Sequence, residues 1–257
     1  MLLLLALIGC KVADAPEELQ SLMTYGFVHT EDDDADPLEE VALGLPPLVV
    51  ENQADLEAGY SVDSLALEDL QAIGLDPQRE VAVVGVAYLL EMQAGLDEIA
   101  PVLAGDELDQ VFAKTFEYTT QTRDDLSCFL AHECDIFHNH GTRVTDTGLF
   151  GEATQEFDSV FRWVEMPNGG QGLVLRQVSP RPTEMTTDLV TVHQSYNWAL
   201  MYEEGGKTRR VEAYWADVEL IDLDVQDSVI LDLAVGTNQD RAVELDAYLG
   251  YSSSPEE

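Results

Sequence analysis

Positive charge is what this sequence has least of. It carries 12 Lys plus Arg against 50 Asp plus Glu in 257 residues, a formal net charge of −38. Nucleic acids and anionic lipid head groups are held by clustered basic side chains that release counterions or meet the surface charge. Nucleic acid is therefore excluded as a default partner, and so is docking through a polybasic patch. Lysine is scarcest, with three residues against nine arginines. Signatures of catalysis are also missing. There is no GxSxG elbow, no P-loop, no SxxK and no HExxH. The stretch Asn168-Gly-Gly-Gln-Gly172 looks like a phosphate loop but lies between strand-like runs with no helix after it, so it reads as a hairpin turn. No repeat at a solenoid or propeller period occurs. Cysteine is rare, with three residues.

What is present is an ordinary apolar content, 46% of the residues. A chain of this length buries roughly 70–75% of its unfolded surface, so wholesale disorder is excluded despite the charge.

The start of the chain is MLLLLALI, followed by Gly9, Cys10 and Lys11. This apolar run is too short to cross a bilayer, which needs ~20 residues, but it fits the apolar segment of an export signal. Leu7-Ile8-Gly9-Cys10 resembles the lipobox of bacterial lipoproteins, although no Lys or Arg precedes the run. The resemblance implies a signal peptide over 1–9, a diacylglycerol thioether on Cys10 and a further acyl chain (palmitate or similar) on its amine. The membrane is then a partner through that lipid. Lys11 stands where such proteins carry Asp for inner-membrane retention, which points to the outer membrane of the cell envelope.

Residues 12–78 contain 17 acidic residues and no Lys or Arg, with a block at Glu31-Asp32-Asp33-Asp34-Ala35-Asp36. Such blocks repel themselves and extend, so 10–40 reads as an acidic tether, interrupted by an apolar island, Leu19–Val28, that can dock or form a helical turn. The block lacks the central glycine of an EF-hand loop. The remainder, 41–257, reads as a single α+β domain. Asp63–Ile73 has helical spacing and stops at Gly74. Residues 81–94 are apolar throughout; periodicity does not separate strand from helix there, and length favours helix. From about 111 onward, short runs rich in Val, Thr and aromatics alternate with turn residues. Phe157–Met166 with Gly172–Val178 forms one expected hairpin, and Val192–Tyr202 with Thr208–Leu220 another. Val229–Val235 reads as a further strand and 238–249 as a closing helix. The expected architecture is N-terminal helices, then a curled antiparallel meander of about five to seven strands (an open sheet or partial barrel), then a C-terminal helix.

Chemistry concentrates in Cys128-Phe-Leu-Ala-His132-Glu133-Cys134-Asp135-Ile-Phe-His138-Asn139-His140, which holds three of the five histidines. One reading is a disulfide between Cys128 and Cys134, suited to an exported chain. Bridging requires Cα atoms within ~7 Å, so the chain must reverse near Leu130-Ala131-His132. The other reading is a site for one divalent metal such as Zn, held by His132, His138 and His140 with Asp135. Lys207, Arg209 and Arg210 face Glu203 and Glu204 across a turn and read as cross-strand ion pairs. The aromatics Trp163, Tyr196, Trp198, Tyr214 and Trp215 either line a ligand cup or fill a core.

The first functional expectation is thus an envelope-anchored acidic lipoprotein, non-enzymatic and without cofactor, that binds a small apolar ligand or an envelope protein or has a structural role. The second is a metal-dependent hydrolase built on the histidines. The acid-rich, lysine-poor surface resembles that of proteins from salty habitats and implies stability that rises with salt.

Overall fold

The computed structural model describes residues 15–76, 84–122, 124–220 and 227–251. Cys10 and the apolar run before it lie outside the described residues. In chain order the elements are α1 (Leu19–Val28), a 3-10 turn (His29–Glu31), α2 (Asp36–Glu51), α3 (Gln53–Ala58), β1 (Tyr60–Val62), α4 (Leu67–Ala72), β2 (Val84–Met92), α5 (Leu96–Ala104), α6 (Leu108–Val111), β3 (Thr115–Thr122), α7 (Leu126–Leu130), β4 (Ile136–Asp146), β5 (Glu152–Glu165), β6 (Gln171–Ser179), β7 (Glu184–Met185), β8 (Val190–Glu204), β9 (Lys207–Leu220) and α8 (Asp227–Tyr248). The class is α+β, as expected. Nine strands form one open sheet in the order β1-β2-β9-β8-β6-β5-β4-β3, with β7 against β5. Its pairings are antiparallel.

Both expected hairpins form. The second closes through Gly205 and Gly206, with φ of 64° and 81°. Two consecutive positive-φ residues make the turn whose twist suits a two-residue hairpin.

Three local expectations give way to tertiary context. Residues 10–40 are not all tether. Leu19, Leu22, Met23, Gly26 and Phe27 are buried along one side of α1, and Leu38, Val41, Ala42, Leu45 and Val49 line one side of α2. These are i, i+3, i+4, i+7 stripes, and both pack on the sheet. The acidic block between them joins the fold through Arg162 and Arg176 of β5 and β6. Arg162 Nη1 donates to the carbonyls of Thr30 (3.1 Å) and Asp32 (2.6 Å). Arg176 Nη1 donates to the Phe27 carbonyl (3.1 Å), and its guanidinium pairs with Glu31. Buried cations thus meet the carbonyl end of α1, where the helix dipole favours them.

Within the apolar run expected to be helical, 81–83 lie outside the described residues and Val84–Met92 is strand β2. It lies between β1 and β9 and is covered on both sides, Ala87 and Leu89 facing one cluster and Tyr88, Leu90 and Met92 the other. Burial on two faces erases the period-two signal of a strand. Finally, 229–235 lies within α8 rather than in a strand. Further along α8, Val235, Ala242 and Leu245 are buried against the sheet.

Candidate ligand-binding cavity

The strands present alternate residues to two unlike faces. Toward α1–α4 they send Val174 and Val178 of β6, Tyr196, Trp198 and Leu200 of β8, and Val211, Ala213 and Trp215 of β9. That face is filled. Phe27 of α1 meets Tyr196 edge-on at 6.1 Å and Trp215 at 5.6 Å.

Toward α8 the same strands send smaller and more polar residues. Between them and the helix lies a cavity of about 760 Å³. One part of its wall is apolar and includes Phe112, Phe161, Leu175, Met185, Val192 and Leu245. Another part is polar and charged. Arg143 Nε donates to Gln155 Oε1 (2.8 Å), and Gln155 Nε2 donates to Ser195 Oγ (2.8 Å). Arg210 pairs with Glu212 at 2.5 Å. Asn197 also donates to Glu212. Arg241 of α8 lies 5.5 Å over the Phe112 ring.

Burial shapes the titration of these groups. It pushes Tyr118 up to about 12 and raises Tyr214, because a phenolate loses its hydration there. Burial, and secondarily the charge of Arg241, brings Arg143 down to about 10; burial likewise lowers Arg241. Arg143, at about 10, stays charged at neutral pH, and the two phenols stay neutral. Among the described lining residues there is no His or Cys, so none of them forms a nucleophile–imidazole pair.

The residues singled out in sequence are distributed differently. Cys128 and Cys134 are bridged, with Cα atoms 5.3 Å apart. The chain reverses between them: α7 ends at Leu130, and His132 takes a left-handed conformation with φ 56°. The three imidazoles do not form a metal site. His132 Nε2 faces Asp97 Oδ1 at 3.3 Å and its ring lies 4.2 Å from Trp163. His138 sits between Asp124 (2.5 Å) and Glu31 (3.0 Å). His140 pairs with Asp158 at 3.2 Å. His138 and His140 do share a side of β4, as their spacing requires, but each has its own carboxylate. Asp135 meets Trp163 through its backbone carbonyl at 2.9 Å. Among the described residues no three His, Cys, Asp or Glu are arranged to hold a metal. The hydrolase reading therefore loses its ligand set.

The expected aromatic lining is largely corrected. Trp198 and Trp215 lie on the filled face, because strand alternation sends them opposite to Asn197 and Tyr214. Trp163 is on the α8 side but away from the cavity, stacked on Phe129 at 5.4 Å with its indole N–H on the Phe129 carbonyl (3.0 Å). Tyr196 borders the cavity while packing on Phe27, and Tyr214 lines it.

The basic cluster near the second turn divides. Lys207 and Arg209 pair with Glu91 (2.9 and 3.5 Å), and Arg209 also with Glu204 (3.0 Å), as cross-strand pairs do. Arg210 instead turns inward. It and Arg143 and Arg241 were not legible as site residues. The available signal was arginine at inward-facing positions of otherwise apolar elements, which needs the register to be seen.

No family model matches the chain, and no curated protein is significantly similar to it in sequence. Among solved structures it is similar to a START superfamily protein from Mycobacterium smegmatis, at 10% identity and TM-score 0.41, covering 64% of this chain and 95% of that one. A fragment of a STAR-related lipid transfer protein from Xanthomonas axonopodis is similar at 9% identity and TM-score 0.42, covering 67% and 96%. Human STARD10 is similar at 13% identity and TM-score 0.39, covering 74% and 83%. At this distance such likenesses say nothing about what this chain binds.

Proposed function

We propose that this chain is an envelope-anchored, non-enzymatic binding protein that holds a small apolar ligand between its sheet and α8. The observation that carries the reading is the cavity of about 760 Å³ with its apolar wall. Small-molecule sites span about 300–1,000 Å³ and combine apolar walls with a few placed polar groups. No cofactor belongs to this reading. Support for the anchor comes from the apolar run ending at Cys10, and support for the outer membrane from Lys11 after it. Two acyl chains or more on one cysteine suffice for stable membrane attachment.

Binding is tested with the full chain carrying Cys10→Ser, which cannot be lipidated, and N-phenyl-1-naphthylamine as a fluorescent apolar probe. The expected result is saturable one-to-one binding. Ala242→Trp, which fills the cavity from α8, should abolish it, while Leu43→Trp on the exposed side of α2 should leave it intact. Binding that survives Ala242→Trp in a folded protein overturns the reading. The anchor is tested by radiolabelled palmitate, which should mark the wild-type chain and not Cys10→Ser.

A further inference from the structure

The charge of the cavity opposes that of the protein. Four cations line it, Lys114, Arg143, Arg210 and Arg241, against two acids, Asp146 and Glu212. The whole chain has 12 cations and 50 acids. A third of the basic residues thus converge on one hollow, while nearly all the acids lie elsewhere.

Two of these cations are balanced. Arg210 pairs with Glu212, and Lys114, exposed at the rim, comes within 4.0 Å of Asp240. Arg143 and Arg241 are not. Among the described residues no carboxylate lies within ion-pair distance of either. Their direct partners are neutral: Arg143 has Gln155 and, at 5.6 Å, the Phe157 ring, and Arg241 has the Phe112 ring; the Glu212 carboxylate acts on both from beyond ion-pair distance and is itself paired with Arg210. Removing a charge from water without a counter-charge is costly. Each guanidinium also opposes the charge of the other, which is one cause of the lowered Arg143 pKa.

Further hydrogen-bonding capacity faces the same hollow. Thr145 Oγ1, two residues along β4 from Arg143, is buried and has no hydrogen-bond partner among the described residues, and its hydroxyl can donate to an anion. The Gln155–Ser195 chain fixes Arg143 in advance, so little side-chain freedom remains to be lost on binding.

We propose that the cavity takes an amphipathic anion: an apolar chain along Phe161, Leu175 and Leu245, with a carboxylate or phosphate head group between Arg143 and Arg241. This deepens the reading given under Proposed function and rests on it. Guanidinium forks match both oxyanions through paired N–H donors. The acidic exterior gives an anion no comparable seat, so the head group is selected inside the cavity.

The test again uses the full chain with Cys10→Ser, and compares three probes sharing one tail: hexadecanoate, hexadecyl phosphate and hexadecanol. The expected result is that at least one anion binds about 10- to 100-fold more tightly than the alcohol, the range for hydrogen bonds to a charged group. The tighter anion names the head group. Arg241→Gln should remove the preference, bringing the anions to the affinity of the alcohol in the same variant; Arg143→Gln, which keeps an amide beside Gln155, is the second variant. If the alcohol binds as tightly as both anions, the head-group proposal fails and the apolar cavity stands. A preference that persists in both folded variants also overturns it. If none of the three binds, the cavity reading falls as well. The comparison among wild-type probes needs no variant, so a variant that does not fold leaves the test intact.

Discussion

The two faces of the sheet are made by the same strands and differ in everything else. On β8, Tyr196, Trp198 and Leu200 go to the face under α1–α4, while Ser195 and Asn197 go to the face under α8. On β9, Val211, Ala213 and Trp215 go one way and Arg210, Glu212 and Tyr214 the other. One face is filled by large aromatics against two amphipathic helices; the other is roofed by α8 over a hollow. The filled face, together with the packed part of the other face around Phe129, Phe137 and Trp163, supplies the cohesion that allows the hollow to leave volume unfilled and charge unpaired. A binding site needs both conditions, and neither is stable without a compensating core.

The comparison breaks or sharpens by substitution. The largest expected effect is Trp198→Ala. Its indole is fully buried on the filled face, and such a truncation costs about 3–5 kcal/mol, read as a lower urea midpoint with unchanged slope. Gly26→Ala comes next. A Cβ there would lie 2.4 Å from Trp198 Cζ2, and overpacking of that kind costs about 1–3 kcal/mol. If Gly26→Ala melts like the wild type, α1 does not approach the sheet as described.

Loss of the Cys128–Cys134 bridge by a double Ala substitution should cost about 2 kcal/mol, from the loop-entropy relation for so short a loop. The bridge flanks Phe129, which packs into the core under α8, so its removal should loosen that side and leave the filled face intact by hydrogen exchange. Added salt should raise the melting temperature, because the Debye length falls from about 8 Å at 0.15 M to about 3 Å at 1 M while the repelling surface acids outnumber the cations. A flat or falling dependence would show that the repulsion is already compensated. Smallest is Val192→Ala at the cavity wall, expected to cost under about 1 kcal/mol, since half-exposed positions contribute little. If it costs as much as Trp198→Ala, the two faces are equally packed and the contrast is lost.

Alkaline titration adds a check on the hollow face. Tyr118 stands at about 12 in the folded chain, raised by burial, against ~10 for an exposed tyrosine. Both states hold the proton below pH 10. Above it the unfolded chain ionises first, so stability falls between pH 10 and 12. Tyr118→Phe should lessen that fall by one tyrosine's share, since Tyr196 and Tyr202 are also raised to about 12.

Much of the architecture was legible. The hairpins were written in Asn168-Gly-Gly and Gly205-Gly206, and the α4 stop in Gly74. The bridge was constrained by cysteine spacing, including the reversal at His132. What was not legible shares a physical reason. β2 reads as featureless because both its faces are covered. The acidic part of 15–40 reads as solvated because the groups that hold it, Arg162 and Arg176 on backbone carbonyls and Arg176 and His138 on Glu31, lie more than a hundred residues away. The histidines read as a cluster because sequence proximity says nothing about which carboxylate each will meet.

The sequence by itself determined the charge, the α+β class, the turn positions and the pairing that the cysteines could make, since these follow from composition and from contacts within about ten residues. Only the tertiary structure decided which arginines turn inward, which tryptophans fill a core and where volume is left open. Those outcomes depend on strand register and on which helix covers which face. A shift of one residue would send every side chain of a strand to the opposite side.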